Sequence, residues 1–251
     1  IATKLNLRGP VNLHFLLAND QIYLLQIKSY SGHNVAFLTK ALKKDITAIT
    51  MKVLLGSTLS ELDLPSDIWP SNDLIHVKMP VFSYLSYSSE NTFDSKMKTS
   101  GSVMGRAKHL PTALFKGYEG SDLMISTYGT VFISVKDSEK HSAIKIAVRF
   151  HQLGFKLLAT EGTANVLAEE GITTGIIEKV QEGSNSLLEK IKQHRINLVI
   201  NVTSLSDSAS HDAIMIKDAA LSTHIPVFSS LQSAQDVLIV LETLAMTTQP
   251  L

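Results

Sequence analysis

The run 196–202, apolar on both faces that a strand would present, constrains this chain more than any other feature. A strand showing apolar side chains in both directions must be covered twice, as a central strand of a parallel sheet is, with helices on each side. The flanking pattern supplies those helices. Upstream, the periodicity predicts a strand at 130–135, a helix at 137–153 capped by Asp137 and closed by Gly154, and a strand at 155–159. A helix at 163–170 closed by Gly171, a short strand at 176–180 and a helix at 186–194 follow. Downstream come a helix at 212–223, a strand at 225–229 and a closing helix at 233–245. Such alternation implies right-handed βαβ units and an α/β fold with an open parallel sheet flanked by helices.

The region before it has a different texture. In residues 1–57, Val11, Leu13, Phe15 and Leu17 alternate, residues 18–21 carry turn chemistry, and a second apolar run spans 22–27. This is a hairpin signal. Helical patterning follows at 34–43, and a second helix starts at the N-cap Asp45 and stops near Gly56. A hairpin and two helices bury too little to stand alone, so this segment reads as the edge of a larger fold. Residues 58–121 carry Pro65, Pro70, Pro80, Pro111 and the polar stretch 86–92, and read as a connector of short elements. Residues 122–251 then form the complete domain. The opening Ile1-Ala2-Thr3 reads as a cut end of a longer polypeptide.

Composition narrows the partners. Lys and Arg number 23 and so do Asp and Glu, which is no footprint of a nucleic-acid binder. There is no run long enough for a membrane helix, and a cytoplasmic setting is expected. The chain has no cysteine, so disulfides, thiolate metal sites and cysteine nucleophiles fall away together. Its nine histidines show no metal-ligand spacing; His211 beside Asp212 is the one suggestive pair.

In open α/β sheets, ligands bind beyond the carboxyl ends of the strands. Lys140 follows the first strand of the domain, in the opening turn of its helix, where a cation opposes the helix dipole unless an anion is near. Thr160-Glu161-Gly162-Thr163 follows the second, joining two hydroxyls and a glycine to the exposed N–H groups of a helix start. Lys179 ends the next strand, and Asn201 and Thr203 end the apolar one. Each has a plainer reading: Thr163 as a helix cap, Asn201 and Thr203 as a turn, the lysines as solvated side chains. Their convergence on one edge favours an anion site.

The segment Phe155-Lys156-Leu157-Leu158-Ala159-Thr160-Glu161-Gly162-Thr163-Ala164, with Leu167, Gly171-Ile172, Lys179-Val180, Glu182-Gly183 and residues 197–203, resembles the methylglyoxal-synthase-like domain of carbamoyl-phosphate synthetases. Residues 97–105 resemble the family's segment between its second ATP-grasp unit and that domain, and Gly9-Pro10-Val11-Asn12 through Lys40-Ala41 the end of the ATP-grasp unit. The resemblance covers nearly the whole chain. It implies the allosteric tail of a glutamine-hydrolysing large chain, with the nucleotide-effector site on Lys140, Thr160, Thr163, Lys179, Asn201 and Thr203. The implied effector is uridine or inosine monophosphate (UMP or IMP). The implied partners are the rest of the large chain and a glutamine amidotransferase subunit, with self-association compatible, in pyrimidine and arginine biosynthesis. Val227 and Ser229 replace the tyrosine and threonine of the enteric-type ornithine site.

The same resemblance implies that the parent uses ATP and Mg, while this segment needs no cofactor of its own and is not itself catalytic. The ATP-grasp metal positions fall on His14, Gln26 and Lys28, which do not suit magnesium. Two alternatives remain. One is a non-catalytic pseudoenzyme tail holding subunits together. The other is a methylglyoxal-synthase-type phosphate lyase, which needs a catalytic aspartate that Gln181-Glu182-Gly183-Ser184-Asn185 lacks.

Overall fold

The computed structural model describes residues 1–29, 32–65, 67–69, 72–81, 101–178, 186–203 and 207–247. By its contacts the chain divides into two compact units, Ile1–Asp73 and Leu74–Leu251.

In the first unit, β1 (Val11–Ala18) and β2 (Gln21–Ser29) form an antiparallel hairpin. Asn19 and Asp20 both take positive φ, 49° and 57°, the left-handed pair that a two-residue hairpin turn demands. The register slips by one residue between His14 and Phe15, so Leu25 is bulged out of the ladder. Two helices follow, α1 (Gly32–Leu42) and α2 (Ile46–Leu54). Asp45 caps α2 as expected, its carboxylate accepting from Ala48 N at 2.9 Å, and Gly56 turns the chain away with φ 109°. The hairpin stays bare: Leu17, Ile22 and Leu25 are 71%, 72% and 64% exposed.

The second unit begins within the segment read as a connector. There β3 (Ile75–Val81) pairs antiparallel with β4 (Gly101–Ala107), and α3 (Leu110–Gly120) follows with Pro111 in its first turn. Gly105 lets β4 approach α3 backbone to backbone: an added Cβ would stand 1.9 Å from the Ala113 carbonyl oxygen.

Five parallel strands follow: β5 (Thr130–Val135), β6 (Lys156–Thr160), β7 (Gly175–Ile177), β8 (Leu198–Val202) and β9 (Val227–Phe228), ordered β7-β6-β5-β8-β9. Every residue of β8 is buried, as a central strand requires. The connecting helices are α4 (Lys140–Gln152), α5 (Glu161–Glu169), α6 (Ser186–Lys192), α7 (Asp207–Ser222) and the closing α8 (Leu231–Thr247). Helices α3, α4, α5 and α8 cover one face, packed on Val131, Ile133, Leu157, Ala159, Leu198 and Ile200. Helices α6 and α7 cover the other, packed on Phe132, Ile177 and Val199. The faces switch because β6 lies on one side of β5 and β8 on the other, while each crossover keeps the same hand. Gly154 and Gly171 close α4 and α5 with φ 86° and 74°.

One capping expectation is overturned. Asp137 does not cap α4; it opens a 3-10 turn, Asp137–Glu139, and Glu139 stands at the N-cap without a side-chain cap bond. The extra turn moves the N-cap two residues on, to Glu139.

Tyr118, on α3, packs edge-on against Phe228 with ring centroids 6.4 Å apart. Burial, and secondarily the charge of Asp236, push its phenol up to about 12. A folded-state value above the unfolded one means that the stabilisation is complete below about pH 10 and is lost as pH rises toward 12. Between pH 9 and 11 the wild type should lose on the order of 1 kcal/mol that Tyr118→Phe keeps. Parallel denaturant melts at the two pH values measure this. Equal losses in the two proteins would show that the phenol is not the cause.

Candidate functional site

The register of the sheet assembles a polar row. On the α6/α7 face, Leu158, Phe132 and Val199 stand side by side on β6, β5 and β8 as an apolar rung. One rung nearer the carboxyl edge, the same face carries Thr160, Ser134 and Asn201. Ser134 is paired with Asn201, and Thr160 Oγ1 donates to Ser134 Oγ at 3.5 Å. Thr160 and Asn201 are each only 7% exposed. Buried polar side chains in the rung where the apolar core stops are expensive unless they meet polar partners, and Thr160 meets Ser134 and Thr163. This edge also lies at the topological switch point between β5 and β8.

Helix α5 starts on this row. Its first residue is Glu161, so Thr160 rather than Thr163 is the N-cap, and Thr160 makes no side-chain cap bond. Its hydroxyl turns instead to Thr163 Oγ1, 3.3 Å away, which also accepts from Val135 N at 3.5 Å. The reading of Thr163 as a simple cap therefore fails. The first-turn amides of α5 are not covered by the cap side chain, and a helix start in that condition attracts anions.

The positive charge comes from α4. Lys140 is its first residue, and its side chain is only 19% exposed. A Cβ added at Gly162 would lie 2.8 Å from Lys140 Nζ, which places the ammonium over the opening turn of α5. The same Nζ pairs with Asp137 Oδ1 at 2.7 Å. The counter-charge that the helix dipole calls for beside this lysine is thus present within the chain.

Of the expected site residues, the structure brings Lys140, Thr160 and Thr163 together around the start of α5. It sets Asn201 in the adjoining polar row, with Thr203 one residue past the end of β8 and exposed. Lys179 lies outside the described residues. Ser134 and Asp137 belong to the site and were not anticipated from the sequence.

On the hairpin, His14 faces Gln26 across the ladder and Lys28 lies two residues further along β2, so all three share one exposed face. They offer an imidazole, a neutral amide and an ammonium, a set that does not fit magnesium. Among the described residues, no cluster of three or more His, Cys, Asp or Glu side chains is arranged to hold a metal ion. No helix among them is long and apolar enough to cross a membrane.

Residues 142–229 match the family described as the MGS-like domain, well under half of the chain. The class defined by fold and match is therefore an α/β MGS-like domain, and the matched span holds the expected site except Lys140. Among solved structures, methylglyoxal synthase from Elizabethkingia anophelis NUHP1 is 18% identical, over 45% of this chain and 79% of that one, with a TM-score of 0.39. The crystal structure of ForH is 21% identical, over 46% of this chain and 80% of that one, also with a TM-score of 0.39.

Proposed function

We propose that the MGS-like domain is a regulatory module that binds a nucleoside monophosphate, UMP or IMP, through its phosphate. One observation carries the reading. A cation over the open start of α5, the hydroxyls of Thr160 and Thr163, and the polar row converge on one edge of the sheet. These groups offer donors and positive charge to an anion. Asn201 and Thr203, at the end of β8, extend the site in this reading, and Lys179 is assigned to it from its sequence position alone.

In this reading the chain is the C-terminal portion of a carbamoyl-phosphate synthetase-like large chain that works with a glutamine amidotransferase subunit in the cytoplasm. The bare hairpin supports assigning the first unit to the edge of an ATP-grasp unit. Its apolar residues Leu17, Ile22 and Leu25 are what a larger sheet would cover. ATP and Mg then belong to other parts of the parent, since His14, Gln26 and Lys28 do not fit the ion.

Titration calorimetry of this chain with UMP and IMP tests the proposal. A saturable isotherm is expected, displaced by inorganic phosphate. No saturable binding of either nucleotide would remove the regulatory reading and leave a structural domain.

A further inference from the structure

The ion pair at the site is lopsided. The side chain of Lys140 is mostly enclosed, while that of Asp137 is 95% exposed and reaches the ammonium from the solvent side. Asp137 belongs to a single 3-10 turn, and Lys140 is the residue at which that turn passes into α4. A lysine at a helix start is disfavoured by the dipole and an aspartate there is favoured, so Asp137 offsets a cost that Lys140 creates. The ammonium meanwhile sits over α5, where an anion would lie.

We propose that Asp137 is an internal competitor for the anion site. It holds the Lys140 ammonium in the ligand-free chain and yields it to an incoming phosphomonoester, so that binding exchanges a carboxylate for a phosphate on one cation. The inference rests on reading Lys140, Thr160 and Thr163 as a phosphate site, and it adds how that site selects its ligands.

The balance of the exchange follows from charge and geometry. A carboxylate brings one negative charge, and an ion pair whose acidic partner stands in solvent is weak. A phosphomonoester brings a charge of about −1.5 to −2 at neutral pH and three acceptor oxygens. It can engage the ammonium, the two threonine hydroxyls and the α5 amides together, which Asp137 cannot do from its turn. A monoanionic carboxylate ligand gains no charge by displacing Asp137. Asp137 therefore sets a threshold that phosphomonoesters pass and carboxylate ligands do not. It is a specificity-determining residue that acts through Lys140.

The test uses the whole chain at low ionic strength as wild type, Asp137→Asn, Lys140→Ala and the double variant, each titrated with inorganic phosphate and with UMP. Asp137→Asn should tighten both ligands about twofold to fivefold, the range expected for release of such a pair. In the Lys140→Ala background the same change should have no effect. Thermal melts without ligand should show Asp137→Asn folded, with a larger upward shift on adding phosphate than the wild type has. Unchanged or weaker binding by Asp137→Asn, beside normal wild-type binding, would overturn the exchange and leave the phosphate site standing. Equal tightening with and without Lys140 would also overturn it, because Asp137 would then act by general repulsion. If neither wild type nor Asp137→Asn binds phosphate, the site itself is wrong and the exchange goes with it.

Discussion

Gly105→Ala should destabilise the second unit by about 3 kcal/mol or more, at the upper end of what one extra methyl costs in a packed core. A Cβ at this position would stand 1.9 Å from the Ala113 carbonyl oxygen and 2.7 Å from Gly117 N. Both are backbone atoms of α3, so no side chain can turn aside and the helix itself must move off β4. That helix also holds Leu114 and Tyr118 in the core of the sheet, so the displacement reaches the main domain. Gly117→Ala is the internal control. Its Cβ would meet Met79 Cγ at 2.9 Å, part of a flexible side chain that can swing away. Removing a helical glycine gains up to about 1 kcal/mol in propensity, so the net change should be small. Denaturant melts of the two variants measure the difference. Equal destabilisation would mean that flexibility of the contacted atoms does not decide the outcome.

This pair of glycines also shows where sequence reading stops. Glycines, prolines and polar residues across 58–121 carry the local marks of a linker. What joins 101–120 to the second unit is the packing of Leu114 and Tyr118 of α3 into the core of the sheet, with β4 held close to α3 at Gly105, and no periodicity encodes that. The main sheet was more legible, because its strands are short apolar runs bounded by glycine and by helical periods. Residues 130–135 form a strand over the expected span, and the alternation correctly implies a parallel sheet. The strand order, and hence the neighbours of each strand end, is set by packing.

The same limit applies at the site. Lys140, Thr160 and Thr163 are visible in the sequence because each follows a strand end and opens a helix. Ser134 is not, since a lone serine inside a strand looks like a solvent-facing position. Only the register places it between Thr160 and Asn201. The sequence points Asp137 to the N-cap because an aspartate ahead of a helical period usually caps it. The inserted 3-10 turn moves the N-cap to Glu139 and hands the carboxylate to Lys140.

Binding of UMP should depend on its phosphate, and Lys140→Ala should expose that dependence. Charge-assisted hydrogen bonds are roughly twice as strong as neutral ones, and the start of α5 gathers an ammonium, two hydroxyls and uncapped helix amides beside the Asp137 carboxylate. Uridine, which lacks the phosphate, should bind more weakly by a factor of about a hundred or more, taking two such bonds at about 1.5–3 kcal/mol each. Lys140→Ala removes one of them and should weaken UMP by about tenfold to a hundredfold. It should leave the already weak binding of uridine nearly unchanged, because the ammonium lies over α5 rather than beside the nucleoside. The fold should survive the change, since the ammonium pairs with the exposed Asp137 rather than with a core residue. Calorimetric titration of wild type and variant with both ligands separates the terms. Equal losses for UMP and uridine would place Lys140 at the nucleoside or in the scaffold. Equal affinity of the wild type for UMP and uridine would mean that the start of α5 holds no phosphate at all.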